Sequence, residues 1–293
     1  MRKNLNKLTL SFLALLFFVS ACKDNNDDPS PGGGNNKDCL VTEMKLEDET
    51  ISFVYTSNLL TQIKTISINA ADNENYNLEY NANQQVTKTQ VLNSDNSSDL
   101  YITYEYNTDG LVSKTNYFYK DANGTTFENE VSITSEYTNK VLTRSTTLAN
   151  LNYMGIDAVA PVDYTDYTVA AGNITKTTHY TLDENWLAGL DSNNLPPQSE
   201  FMKHMELWST TEYQYDDKKN PLKALSFINF VIEDVSTLSA NNITTKVEKE
   251  KSGTTTNTTT IVYEYNTEGY PTKQTATETN STPETTTLSY DCQ

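Results

Sequence analysis

The stretch YEYNTDGLVSKT, Tyr104–Thr115, returns almost unchanged as YEYNTEGYPTKQT, Tyr263–Thr275. Before each turn, aromatic and β-branched residues alternate with polar ones, as in YITYEY, which is the period-two pattern of a strand. Asn, then Asp or Glu, then Gly supply the residues of a type I turn that ends on a left-handed glycine, a common hairpin loop with a bulge. A second strand leaves as LVSKT. In this reading Tyr106 faces Val112 and Tyr104 faces Lys114, with Glu105 and Ser113 on the opposite face. The repeated phrase is therefore a hairpin, and its residues make a bend rather than a chemical site.

Weaker copies follow once the template is set: LEYNANQQVTKTQV, YQYDDKKNPLKALS, FVYTSNLLTQIKT, SEYTNKVLTRST and DYTVAAGNITKTT. Gln84 and Lys219 stand where the template has Gly, and several copies gain or lose a residue. Their tyrosines, Tyr55, Tyr80, Tyr106, Tyr137, Tyr167, Tyr215 and Tyr265, mark a hairpin of roughly 25–30 residues as the organising unit. The expected fold is all-β: a large antiparallel meander forming a curved sheet or barrel, as one domain over 39–293. With 36% hydrophobic residues and 19 tyrosines, much of the apolar area must come from rings whose hydroxyls stay hydrated.

The N-terminus carries Arg2, Lys3 and Lys7, then the apolar run LTLSFLALLFFV. That run is short for a membrane span and suits the core of a signal peptide, residues 1–21. It ends in VSAC, which resembles the lipobox of bacterial lipoproteins. The resemblance implies cleavage before Cys22 and acylation of that residue, palmitate included, so Cys22 is the expected membrane anchor. Residues 22–38, CKDNNDDPSPGGGNNKD, are polar and rich in Gly, Pro and Asn; they read as a flexible tether. Lys23-Asp24 and Asp27-Asp28 also resemble the acidic signal that sends Bacteroidota lipoproteins to the outer face of the outer membrane.

Lipobox, acidic tether and the Y-x-Y-N-x-x-G-x-L-x-x-K rhythm together resemble Bacteroidota surface lipoprotein families of unknown function with a porin-like fold; the rhythm itself is similar to YD/RHS-type repeats. This resemblance implies a large antiparallel sheet, curved or closed, and brings no activity or catalytic residues with it. A membrane-spanning barrel needs an apolar outer band on every strand. Strands such as TKTTHYTLDE and TTTNTTTIVYEY place polar residues on both faces, so a water-exposed, tethered body is expected.

The net charge is −18 and the pI about 4.4. Residues 1–21 contribute only positive charge, so the chain beyond them is more acidic still. Nucleic acid is excluded as a partner, since phosphate contacts need clustered Lys and Arg. Cys39 and Cys292 stand at the two extremes of the folded region, and in an oxidising envelope they can form a disulfide that staples the first strand to the last. The alternative is two independent buried thiols.

The repeat fails over Asp183–Trp208, DENWLAGLDSNNLPPQSEFMKHMELW. A short helical insertion is expected there, with Ser199 as a cap and Phe201, Met205 and Trp208 on one apolar face. Trp186, Trp208 and Phe201 are the candidate ligand-binding residues. As a platform they would stack on sugar rings; alternatively they pack the helix against a barrel end. A second insertion, Leu225–Asn242, reads as a strand plus a packed loop. His179 and His204 fall in no triad or metal spacing, and no cofactor or metal site is indicated. Asp and Glu are plentiful, but sequence does not say which meet, so a hydrolase with paired carboxylates stays open. The main expectation is a non-enzymatic outer-membrane lipoprotein that binds glycan or another extracellular polymer. The alternative is a structural protein that docks another envelope component.

Overall fold

The computed structural model describes residues 39–121, 124–151, 158–191, 195–223 and 235–292. Cys22, the leader, the tether and part of the second insertion lie outside the described residues. The first eight strands are β1 (Cys39–Lys45), β2 (Glu49–Thr56), β3 (Leu59–Ser67), β4 (Glu74–Tyr80), β5 (Val86–Asn93), β6 (Leu100–Tyr106), β7 (Val112–Lys120) and β8 (Phe127–Thr138). The next eight are β9 (Val141–Asn150), β10 (Val159–Ala170), β11 (Asn173–Leu182), β12 (Met205–Lys219), β13 (Asn241–Glu250), β14 (Thr255–Tyr265), β15 (Pro271–Glu278) and β16 (Glu284–Cys292). Two short helices, α1 (Glu184–Ala188) and α2 (Gln198–Lys203), lie between β11 and β12. Every strand pairs antiparallel with its sequence neighbours, and β16 returns to β1, closing a barrel.

This order gives the barrel two distinct ends. Cys39, Cys292 and all even-to-odd turns share one, the terminal end; the odd-to-even connections share the other, the mouth. At the terminal end Cys39 and Cys292 pair across the β1–β16 seam and are joined by a disulfide over a sequence separation of 253. The insertion with α1 and α2 belongs to the mouth.

The tight turns explain the repeated phrase. Asn107 Oδ1 accepts the backbone N–H groups of Asp109 and Leu111, both at 3.0 Å, while Gly110 takes φ +79°. Asn81 does the same in its hairpin and Asn266 accepts the Tyr270 N–H in its own, with Gln84 (φ +61°) and Gly269 (φ +85°) in the left-handed position. The shorter copies turn through two left-handed residues, Ser57–Asn58, Asn139–Lys140 and Ala171–Gly172, the geometry that matches strand twist.

The bulge changes the register expected inside the hairpin. Tyr106 faces Val112, as the sequence suggested, but Tyr104 faces Thr115 and Glu105 faces Lys114. Ser113 is the additional residue, and it shifts every pair beyond it by one. The same shift recurs immediately before Tyr55, Tyr80, Tyr137, Tyr215 and Tyr265, and two residues after Tyr167. A Thr or Ser occupies the unpaired place: Thr87, Ser113, Thr143, Thr175 and Thr272 each donate a hydroxyl back to the facing strand's carbonyl at 3.1–3.2 Å.

A second hydrogen bond links one hairpin to the next. The hydroxyls of Tyr55, Tyr80, Tyr106, Tyr137, Tyr215, Tyr263 and Tyr290 donate to the carbonyls of Val41, Leu60, Val86, Val112, Ile174, Ile243 and Pro271, at 2.5–2.9 Å. Each acceptor directly precedes the unpaired residue of a bulge, where the ladder is interrupted. Tyr167 Oη lies 2.9 Å from Ser145 Oγ.

One expectation fails here: the copy YQYDDKKNPLKALS has no return strand at Lys223, and the strand that pairs back onto β12 is β13. Of the second insertion, residues 225–234 lie outside the described residues; Val235–Leu238 is a 3-10 turn, and Asn241 and Asn242 belong to β13.

Candidate binding cleft at the mouth of the barrel

The inside of the barrel is divided by chemistry. From β1 to β9, and on β16, inward side chains form one apolar core; Val41, Ile51, Leu60, Ile63, Val86 and Ile102 are at most 1% exposed. The described residues of the connection between β12 and β13 pack at the terminal end. Leu222 and Leu238 lie against the main core, and Val235 meets Ile174 and Ile243. Buried Ser239 fixes this connection: its hydroxyl accepts from Ile174 N–H, donates to the Val235 carbonyl, and lies 2.9 Å from Tyr215 Oη. The interior is thus filled from the terminal end.

Towards the mouth, between β11 and β14, inward positions turn polar. Thr177, Thr211 and Glu248 form one row across β11, β12 and β13; His179, Ser209 and Glu250 form the next row outward. They share the inner face with Tyr213, whose hydroxyl lies 3.5 Å from Thr177 Oγ1. A cleft of about 940 Å³ opens beside these rows, bounded by Thr181, Asp183 and Asn185 on one side and Lys251, Ser252 and Thr256 on the other.

Trp208 lines the same cleft and is 64% exposed. The register between β11 and β12 slips at this point: Tyr180 faces Leu207 and His179 faces Ser209, so Trp208 has no partner across the ladder. A bulge at a barrel rim re-aims a side chain in this way.

The structure separates the three aromatic residues picked out by sequence. Phe201 is buried, and Trp186 packs edge-on against it at 5.1 Å between ring centres. Trp186 also stacks on the His204 ring at 4.1 Å. Leu151, Ala160 and Leu182 complete this small core, which seats the insertion on the β9–β12 rim. Phe201, Met205 and Trp208 do not share a helical face. Ser199 lies inside α2, whose N-cap is Pro197 with no side-chain cap; Asp183 caps α1, accepting from the N–H groups of Asn185 and Trp186. The helix α2 ends at Lys203, and Met205 and Trp208 are already in β12. Trp186 and Phe201 are packing residues, and Trp208 alone of the three faces the cleft.

The sequence matches no protein-family profile and no curated protein. Among solved structures, a porin-like protein from Bacteroides vulgatus superposes with a TM-score of 0.52 at 12% identity, covering 87% of this chain and 99% of that one. A porin-like protein from Bacteroides uniformis gives a TM-score of 0.47 at 13% identity, over 90% and 100% of the two chains. The likeness is one of fold. The chain has a porin-like β-barrel, and the cleft is a feature of its own residues.

Within this porin-like barrel the charges around the cleft are unevenly matched. Lys251 is paired with Glu206, Lys249 with Glu212 at 2.7 Å, and Lys246 with Glu248 at 2.9 Å. Burial opposes ionisation of Glu248, but Lys246 and the Asn257 amide outweigh it and hold the carboxyl below its ordinary pKa. Glu250 accepts the hydroxyl of Ser252 at 2.7 Å, and Asp183 accepts two backbone N–H groups. Nearer the rim, Asp163 is half-buried opposite Thr181; desolvation raises its pKa despite a hydrogen bond from Thr147 and the neighbouring His179. Among the described residues, no group of three or more His, Cys, Asp or Glu side chains is placed to hold a metal ion.

Sequence reasoning missed Ser209, Thr211, Glu248 and Glu250. A signal existed in KVEKE, where Lys246, Glu248 and Glu250 recur at every second place. Three charges on the inner face of one strand mark a stretch of barrel interior that water reaches.

Proposed function

We propose that the protein is a non-enzymatic binding protein, anchored to the outer membrane through Cys22, that captures extracellular glycan in the cleft at its mouth. The observation that carries this reading is Trp208: a large aromatic ring, 64% exposed, held at a bulge beside a hydroxyl- and carboxylate-lined cleft. A sugar presents an apolar C–H face and a rim of hydroxyls. An exposed indole beside Ser, Thr, Asn and Glu side chains matches both surfaces, by the same division of labour that apolar walls and a few polar groups perform in other ligand sites.

Topology supports an outward-facing site. Residues 22–38 enter at Cys39, on the terminal end, and the cleft lies at the opposite end of the barrel. A lipid at Cys22 would therefore attach at the end opposite the mouth and leave the cleft free to face away from the bilayer. The wall supports a tethered body rather than an embedded one: the alternate, outward places of β4 are Asn75, Asn77 and Glu79, and those of β14 are Thr258, Thr260, Val262 and Glu264. A lipid-facing wall would need apolar residues at these places. The porin-like fold is in keeping with an outer-membrane location.

The test is binding of the protein from Cys39 onward to a panel of soluble oligosaccharides, by calorimetry. Saturable binding that Trp208→Ala abolishes, with Trp186→Phe retaining it, is expected. Binding that survives Trp208→Ala unchanged would remove the cleft as the site.

A further inference from the structure

We propose that the glycan taken by this cleft is cationic, carrying free amino groups on its sugar units; the proposal rests on the cleft being a glycan site. The argument is one of charge balance beside an aromatic face. Four carboxylates, Asp183, Glu206, Glu248 and Glu250, line the cleft against two ammonium groups, Lys249 and Lys251. Both lysines are already committed, Lys251 to Glu206 and Lys249 to Glu212. Glu248 has its own partner in Lys246. Glu250 and Asp183 form no ion pair among the described residues, and Glu250 stands in the same cross-strand row as Ser209, the residue next to Trp208.

A neutral sugar would find hydroxyl partners here but leave that negative charge unanswered. A polyuronate or sulfated glycan would add to it, against a chain whose net charge is already −18. An ammonium group meets both features of the cleft at once. It makes a charge-assisted hydrogen bond to the Glu250 carboxylate, and it is attracted to the face of an indole, the best aromatic acceptor for a cation. Trp208 then serves the C–H face of one ring and the cation of the same or the next one. Glu250 sets the preference, and Trp208 sets the affinity.

The experiment compares deacetylated chitosan hexamer, its fully N-acetylated counterpart and an oligogalacturonate of similar length, by calorimetry at low salt. The wild type is expected to bind the deacetylated hexamer about tenfold more tightly than the acetylated one, and the galacturonate not measurably. That preference should shrink as salt is raised, since partly exposed charges are screened. Glu250→Gln should bring the two chitin-derived ligands to within about threefold of each other while retaining the acetylated one. Equal or tighter binding of the acetylated hexamer, still lost in Trp208→Ala, would overturn the cationic preference and leave the glycan site standing. Failure of all three ligands and of the wider panel would overturn both.

Discussion

The hydroxyl of Tyr106 donates to the carbonyl of Val86 at 2.7 Å, joining the hairpin of YEYNTDGLVSKT to the bulge of the hairpin before it. Val86 faces Tyr80 and Lys88 faces Glu79, so Thr87 between them has no partner and the ladder is broken there. Leaving such a carbonyl unpaired costs about 1–3 kcal/mol, and the tyrosine of the following hairpin removes that cost. The repeat is thereby coupled to its neighbours around most of the barrel.

Tyr106→Phe keeps the ring and deletes the donor. It should lower stability by about 1–2 kcal/mol in urea titrations, with an unchanged slope. Tyr167→Phe, whose hydroxyl meets a serine side chain able to turn to another partner, should cost less. Equal losses in the two variants would argue against the bulge carbonyl as the cause.

The disulfide closes the longest loop the fold contains. Reduction, or paired Cys39→Ser and Cys292→Ser, should lower stability by about 5 kcal/mol if chain entropy dominates. Denaturant midpoints of the oxidised and reduced forms measure this directly. Intact mass after alkylation should show no free thiol at Cys39 or Cys292 until reductant is added.

Trp186 and Trp208 should separate cleanly. Trp186→Ala removes the ring stacked on His204 and packed on Phe201, and a loss of about 3 kcal/mol is expected. Trp208→Ala removes a mostly exposed ring, so thermal stability should stay within about 0.5 kcal/mol while ligand binding is lost. A large loss of stability in Trp208→Ala would make it a packing residue.

Glu49 gives the barrel a pH dependence. Burial, together with the negative charges of Glu74 and Asp72, raises its pKa from 4.5 to about 7. Between those values the folded state holds a proton that the unfolded chain has released, so stability falls as pH rises through this window. Above about pH 7 the full penalty is present; below 4.5 it is absent. Glu49→Gln should therefore raise the melting temperature at pH 8 and leave it nearly unchanged at pH 4.5. A variant that gains equally at both pH values would contradict this assignment.

The hairpins were legible in the sequence because their causes are local. Asn107, Gly110 and the alternation of YITYEY act within a few residues of one another. The bulge at Ser113 was not legible: one additional residue shifts the register, and only the facing strand reveals which residue lacks a partner. Likewise, Phe201, Met205 and Trp208 have helical spacing, yet β11 offers a ladder that takes up Met205 and leaves Trp208 at its bulge. Pairing along a long strand outweighs the apolar face of a helix that is only 6 residues long.

By itself, then, the sequence determined the unit of construction: strand, Asn-capped turn, strand, repeated with a tyrosine in fixed phase. These are short-range matters of dihedral preference and alternation. The tertiary structure decided that the sheet closes, because only the β1–β16 register brings Cys39 opposite Cys292. It also decided which end is filled and which is open. Glu250 meets the neighbourhood of Trp208 only because β13 pairs with β12, across more than forty residues of chain, and long-range pairing of that kind leaves no trace in local pattern.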